Sequence, residues 1–267
     1  MKPNFLVIGA PRSGTTWIAR NLMVHPDVFI PRAKEVHYFD RHFDRGDDFY
    51  SGFFHSAAGA PLIGDVTPDY LACEPCPARI RESLGEIKLI ATLRNPADRL
   101  YSRYWNAEGK PDKRTGRTFE ERMTEVPSWT TEGYYDQHLQ RFLEYFSRDS
   151  LLVLLYDELQ NDPETYYRKI LEFLGADTSF VPETVRYRIN AAGGKPRNAK
   201  STSLYWLHRA TRRIGLKTLS SAIDAVNTKP LPKMAESTRS ELLNTVYGES
   251  ICNLERLLDA DLSVWRN

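Results

Sequence analysis

Apolar residues fall in short runs separated by glycine, proline and polar clusters. Phe5 to Ile8 are four apolar residues ended by Gly9, a pattern that reads as a buried strand. Val28–Ile30, Leu62–Val66, Lys88–Leu93 and Leu151–Tyr156 repeat it. Between these runs the apolar positions recur at helical spacing. Thr16–Val24 places Trp17, Ile18, Leu22 and Met23 on one side, and His25-Pro26-Asp27 ends it. Ala97–Trp105 follows Pro96, and Pro163–Leu174 stops at Gly175. A last amphipathic helix is expected from about Ser237 to Leu258. Strands alternating with helices predict an α/β fold: an open, mainly parallel sheet with helices on both faces.

The chain of 267 residues is long enough to bury a large core without disulfides or structural metal. With 36 basic and 35 acidic residues the net charge is +1, so no global field points to nucleic acid or to an anionic membrane. Anion recognition must come from local clusters. No apolar run is long enough for a transmembrane helix or a signal-peptide core. The three cysteines, Cys73, Cys76 and Cys252, suit a reducing compartment, and a cytoplasmic protein is expected. Cys73-Glu74-Pro75-Cys76 lacks a second ligand pair for zinc and reads as two ordinary thiols near a helix start. Nothing in the sequence sets the oligomeric state.

The chemistry begins at Gly9-Ala10-Pro11-Arg12-Ser13-Gly14-Thr15-Thr16. Strand, glycine turn and helix aim backbone N–H groups at an anion. A nucleoside-triphosphate loop would read G-x-x-x-x-G-K-[ST]; here Thr15 stands in the lysine position and the cation is Arg12. A guanidinium can fork two oxygens of one phosphate or sulfate group. Ser13, Thr15 and Thr16 add hydroxyl donors. A second anchor is Arg94, at the end of the Lys88–Leu93 run, with Ser102 eight residues on. Where a metal-binding carboxylate would stand, this strand ends in a cation. Arg99 and Arg103 read as a solvated helix face.

GAPRSGTTW at 9–17 and LRNPADRLYSRYW at 93–105 together resemble the sulfotransferases that use 3′-phosphoadenosine 5′-phosphosulfate (PAPS). KEVHYFD at 34–40 and DVTPDYL at 65–71 resemble the branch containing the heparan sulfate O- and N-sulfotransferases and their bacterial relatives. The segments 142–159 and 164–177 match the family's spacing, so the likeness covers most of the chain. It implies a P-loop-kinase-like fold, one domain over 1–267, and no metal. It implies that the loop from Arg12 through Ser13, Gly14, Thr15 and Thr16 to Trp17 holds the 5′-phosphosulfate. Arg94 and Ser102 would hold the 3′-phosphate, and Lys195 and Arg197 would lie in a late segment closing over the nucleotide. Adenosine 3′,5′-bisphosphate would be the product. The glycosaminoglycan enzymes tend to carry lysine just before the Thr-Pro of the 65–71 motif, where this chain has Val66.

Sulfuryl transfer needs an acceptor oxygen in line with the leaving phosphate and a base beside the acceptor. Glu35 is the candidate base by its place in KEVHYFD, with His37 second; Arg12 would stabilise the leaving group. The family branch implies a hydroxyl or amine acceptor on a carbohydrate or glycolipid. Tyr70, Tyr104, Trp105, Tyr134 and Tyr135 could line an acceptor pocket or belong to the core. The Gly109–Arg117 stretch reads as a basic surface loop. Two rival readings are a P-loop kinase using ATP and a non-catalytic nucleotide-binding protein.

Overall fold

Five parallel strands form one open sheet in the order β2-β3-β1-β4-β5. They are β1 (Phe5–Gly9), β2 (Val28–Phe29), β3 (Leu62–Val66), β4 (Lys88–Leu93) and β5 (Leu151–Leu155). The computed structural model describes residues 1–33, 35–57, 59–112, 114–187, 200–227 and 232–266. The helices used below are α1 (Thr15–Leu22), α2 (Cys76–Leu84), α3 (Pro96–Glu108), α4 (Tyr135–Leu143), α5 (Tyr156–Asn161), α6 (Pro163–Leu174), α7 (Thr202–Arg213), α8 (Lys217–Asn227) and α9 (Gly248–Leu258).

The alternation of side chains along β1 explains the layers. Phe5 and Val7 point to one face, where Trp17, Ile18 and Leu22 of α1 and Tyr167, Ile170 and Leu171 of α6 cover them. Leu6 and Ile8 point to the other, against Ile80 of α2, Leu100 of α3, Phe142 of α4 and Ile251 of α9. A strand covered on both sides has no solvated face, which is why these runs are largely apolar. β1 pairs with β3 on one flank and β4 on the other (Val7 opposite Val66 and Ile90). The chain leaves β1 toward β3 and leaves β4 toward β5. Between β1 and β4 the connections diverge, and there open α/β sheets leave a crevice at their carboxyl ends.

Local chemistry fixes the helix ends. The Asn95 carboxamide accepts from the Ala97 and Asp98 N–H groups and caps α3. Asp162 Oδ1 accepts from Thr165 N at the start of α6, and Gly175 ends that helix with φ 78°.

Three expectations are corrected. The terminal helix is broken: Glu236–Glu241 leads into a π-helical turn at Leu242–Val246, where Tyr247 N–H reaches Leu242 O, before α9 begins. Cys73 and Cys76 are joined as a disulfide, because the turn through Pro75 into α2 brings their Cα atoms to 5.3 Å. Arg99 is not on a solvated face; it is fully buried, with Nη1 2.7 Å from Glu132 Oε2 and a further bond to Trp129 O. Arg103 Nη2 reaches the same carboxylate at 3.3 Å.

Candidate active site

The loop after β1 is shaped by two glycines. A Cβ on Gly9 would come within 2.4 Å of Leu71 Cβ and 2.9 Å of Pro68 O. Gly14 has φ +96°, and a Cβ there would meet Leu159 Cδ2 at 2.9 Å. Arg12 is also left-handed, with φ 73°. The loop is tied to the neighbouring strand: Ala10 N–H donates to Thr92 O at 2.8 Å, and Thr92 Oγ1 donates to Ser13 O at 2.9 Å. Tyr166 Oη donates to Thr92 Oγ1 at 2.7 Å, so α6 braces the same point.

This loop forms the floor of a cavity of about 640 Å³, a size suited to a nucleotide-sized ligand. Its walls carry Arg12, Arg20, Arg94, Arg103, Lys110 and Arg186 against the carboxylates Glu35 and Asp69. Six cations facing two acids make a site for a polyanion. Arg12 Nε donates to Ser102 Oγ at 3.2 Å, and Arg94 Nη1 lies 3.4 Å from Arg12 O. The two motifs expected to act on one ligand therefore meet, although they are 90 residues apart. The Arg94 guanidinium sits 5.0 Å from the centroid of the Tyr156 ring. Thr15, Thr16 and Trp17 also line the cavity, with Trp17 Nε1 donating to Val185 O at 3.3 Å. Ser13 is fully buried and its side chain lies off the wall. Lys195 and Arg197 lie outside the described residues.

Glu35 and Asp69 enter from the β3 flank, opposite Arg94 and Ser102 on the β4 flank, with Arg12 between. Glu35 N–H donates to Val66 O at 3.2 Å, which fixes its backbone to the end of β3. Glu35 (φ 68°) and His37 (φ 54°) both hold left-handed backbone, strained for residues with a Cβ. His37 does not line the cavity; its Nδ1 is 2.9 Å from Asp40 Oδ2 and 3.9 Å from Asp69 Oδ2. The Asp40 hydrogen bond raises the His37 pKa, against the opposing effect of burial. The three groups offer ligand atoms within 4.8 Å of one another. Arg41 already supplies their countercharge, 3.3 Å from Asp40 and 2.7 Å from Asp69.

Beneath this flank Asp65 is fully buried and accepts from Thr67 Oγ1 at 2.7 Å, Tyr70 Oη at 2.9 Å and Tyr50 Oη at 3.1 Å. Tyr70 Oη in turn accepts from Tyr38 N–H at 3.0 Å, so the carboxylate anchors the segment that carries Glu35 and His37. Burial pushes the Asp65 pKa from an ordinary 3.8 to about 6, against the lowering by its three hydroxyl donors. The folded state thus holds this proton more tightly than the unfolded chain. The Asp65 contribution to stability is full below the unfolded pKa and is lost as pH rises through the folded one, a change of ~3 kcal/mol. Asp65→Asn removes this titration. Urea unfolding of both proteins should find the variant gaining ~3 kcal/mol on the wild type between about pH 3 and pH 8. A difference that stays constant across that range would show that Asp65 does not titrate in this way.

Of the two settings open to the aromatic residues named from the sequence, the core is the one they take. Tyr70 and Tyr135 are buried in the core, Tyr104 is nearly so, and Trp105 and Tyr134 pack against it. The aromatic side chains on the wall are instead Trp17, Tyr156 and Tyr187. Arg103 joins the wall, the i+4 neighbour of Arg99 on α3, so one helix face reading as solvated carries a buried cation and a site cation. Lys110 reaches the cavity from the basic loop, whose Thr115 N–H and Gly116 N–H are held by the buried Glu108 carboxylate. Val66 is core, so no side chain from that position faces the cavity.

A glycine loop between β1 and α1, at the carboxyl edge of a parallel sheet and surrounded by cations, defines a P-loop-type nucleotide site in an α/β transferase fold. The sulfotransferase domain model matches residues 2–202. Heparan sulfate glucosamine 3-O-sulfotransferase 6 of Mus musculus is 31% identical over 200 residues, 73% of this chain and 58% of that protein. Heparan sulfate glucosamine 3-O-sulfotransferase 3B1 of Homo sapiens is 32% identical over 180 residues, 65% of this chain and 46% of that protein. The chain thus spans about half the length of the curated relatives it matches. The crystal structure of a sulfotransferase from Alicyclobacillus acidocaldarius has 25% identity and a TM-score of 0.76, with 100% of both chains covered. The chain belongs to the sulfotransferase family. Among the described residues no helix is long and apolar enough to cross a membrane.

Proposed function

We propose that the protein moves a sulfuryl group from PAPS to a hydroxyl or amine of a carbohydrate or glycolipid acceptor, in line and without a metal. The observation that carries this reading is the Arg12–Ser102 contact, which joins the loop at 9–17 to the segment at 93–105 over one cavity. Arg12, Thr15 and Thr16 hold the 5′-phosphosulfate with the N–H groups opening α1; Ser13 and Gly14 contribute backbone. Arg94 and Ser102 grip the 3′-phosphate. Trp17 supports the loop from α1. The acceptor enters from the β3 flank, where Glu35 takes its proton as the S–O bond to it forms and the bond to the leaving phosphate breaks. Arg12 offsets the charge that develops on that phosphate. The chain acts over 1–267 as one sulfotransferase domain.

The test incubates the purified protein with sulfur-labelled PAPS and a panel of sugars, glycolipids, peptides and phenols, with chelator present. Label transfer to a carbohydrate is the expected result. Magnesium-dependent use of ATP would instead make it a kinase. Binding of adenosine 3′,5′-bisphosphate with no turnover on any acceptor would make it a nucleotide-binding protein only. A cytoplasmic setting is part of this reading, and the Cys73–Cys76 bond weighs against it. Thiol counting on protein trapped in its native cells would decide: two free thiols at these positions keep the cytoplasmic reading, and a bond removes it.

A further inference from the structure

The helical hairpin of α7 and α8 is built inside out. Its buried residues include His208, Thr211, Ser220, Asp224 and Asn227. They bond across the hairpin: Ser220 O lies 2.9 Å from His208 Nδ1, and Asn227 Nδ2 donates to Ser201 O at 3.0 Å. Tyr205 is buried with them and Leu204 and Ile223 are half-buried, but six large apolar side chains point outward. Trp206, Leu207, Ile214, Leu216, Leu219 and Val226 are each 48% to 70% exposed. They are half of the twelve large exposed apolar side chains among the described residues, gathered in 28 positions (200–227). A solvated hairpin shows the reverse pattern, with its apolar stripe inward.

The spacing makes this a surface and not a scatter. Leu207, Ala210 and Ile214 fall at i, i+3 and i+7, and so do Leu219, Ala222 and Val226; all six are exposed. Ile214-Gly215-Leu216 is the tip joining the helices, with Gly215 at φ +82°. The charges have one sign. Lys200, Arg209, Arg212 and Arg213 stand against a single acid, Asp224, and that acid is buried. The Arg209 guanidinium lies 5.2 Å from the Trp206 ring centroid. Apolar stripes, a tryptophan and a cationic flank are the features that seat a helix in the headgroup layer of an anionic bilayer. A second copy of the same face would bring cation against cation.

We propose that the α7–α8 hairpin docks the protein on an anionic membrane surface, with its Ile214–Leu216 tip and apolar stripes in the interfacial layer. The hairpin is coupled to the cavity. Tyr205 Oη and Arg209 Nη1 donate to Asp112 at 2.7 and 2.8 Å, two residues beyond Lys110 on the cavity wall. Docking therefore brings the cavity's basic loop close to the bilayer, where a membrane-borne acceptor would be presented.

The experiment sediments the full chain with vesicles of equal parts phosphatidylcholine and phosphatidylserine, and with phosphatidylcholine alone. Binding to the first and little to the second is expected, weakening as salt is raised. Trp206→Ser combined with Ile214→Ser and Leu216→Ser should lower the partition by about tenfold or more, as should Arg212→Glu with Arg213→Glu. These side chains are exposed, so thermal midpoint and binding of adenosine 3′,5′-bisphosphate should not change; the nucleotide measurement separates failure of docking from failure of the donor site. The proposal is overturned if the wild type stays in the supernatant with both vesicles. It is overturned equally if the serine variant binds as well as the wild type. A wild-type dimer that the serine variant loses, without vesicle binding, would reassign the face to self-association.

Discussion

Glu35→Gln should lower turnover by about three orders of magnitude while leaving affinity for adenosine 3′,5′-bisphosphate within about twofold. The amide keeps the size and polarity of the carboxylate and loses only its capacity to take a proton. Glu35 is held by its own N–H on Val66 O, so the backbone position does not depend on the side chain. It lines the cavity from the flank opposite Arg94 and Ser102, the side from which an acceptor would face the donor. His37, the other candidate, is off that wall, with its Nδ1 held 2.9 Å from Asp40 Oδ2. Single-turnover assays with labelled donor would give the rate, and calorimetry with the bisphosphate the affinity. Near-normal turnover in the glutamine variant would remove Glu35 from the mechanism and return the role to His37 or Asp69.

All five strands were legible because strands buried on both faces need largely apolar runs, and Phe5–Ile8, Val28–Ile30, Leu62–Val66, Lys88–Leu93 and Leu151–Tyr156 are such runs. Their order was not, since nothing in a run says which neighbour it pairs with. The loop at 9–17 and the pair Arg94 and Ser102 were legible because glycine, hydroxyl and guanidinium at fixed spacing have few other uses. Arg99 was misread because a cation on a helix is ordinarily solvated; its partner Glu132 is 33 residues away and invisible to local pattern. The disulfide was missed because spacing alone does not show that a proline turn closes it. The hairpin of α7 and α8 has clear apolar periodicity, but periodicity cannot tell a stripe that meets the core from one that meets solvent or lipid.

Arg12→Ala should reduce kcat/KM for PAPS by about two to three orders of magnitude, with thermal stability little changed. The side chain is half-buried. Its loss leaves the Ser102 hydroxyl facing the cavity without its guanidinium partner, and six wall cations become five. The remaining cations stand on other elements, while Arg12 sits within the loop between Gly9 and Gly14, where the phosphate to be released would lie. Its effect should therefore exceed that of Ser102→Ala, for which a loss of about tenfold is expected. Arg12→Lys should recover part of the activity, since an ammonium restores the charge without the two-pronged geometry. The order alanine below lysine below arginine, read from initial rates over a range of PAPS concentrations, is the signature of a cation acting on the developing negative charge. Equal activity in all three would place the transferred group elsewhere, because a guanidinium that shares the cavity floor with Thr15 and Thr16 could not then be touching it.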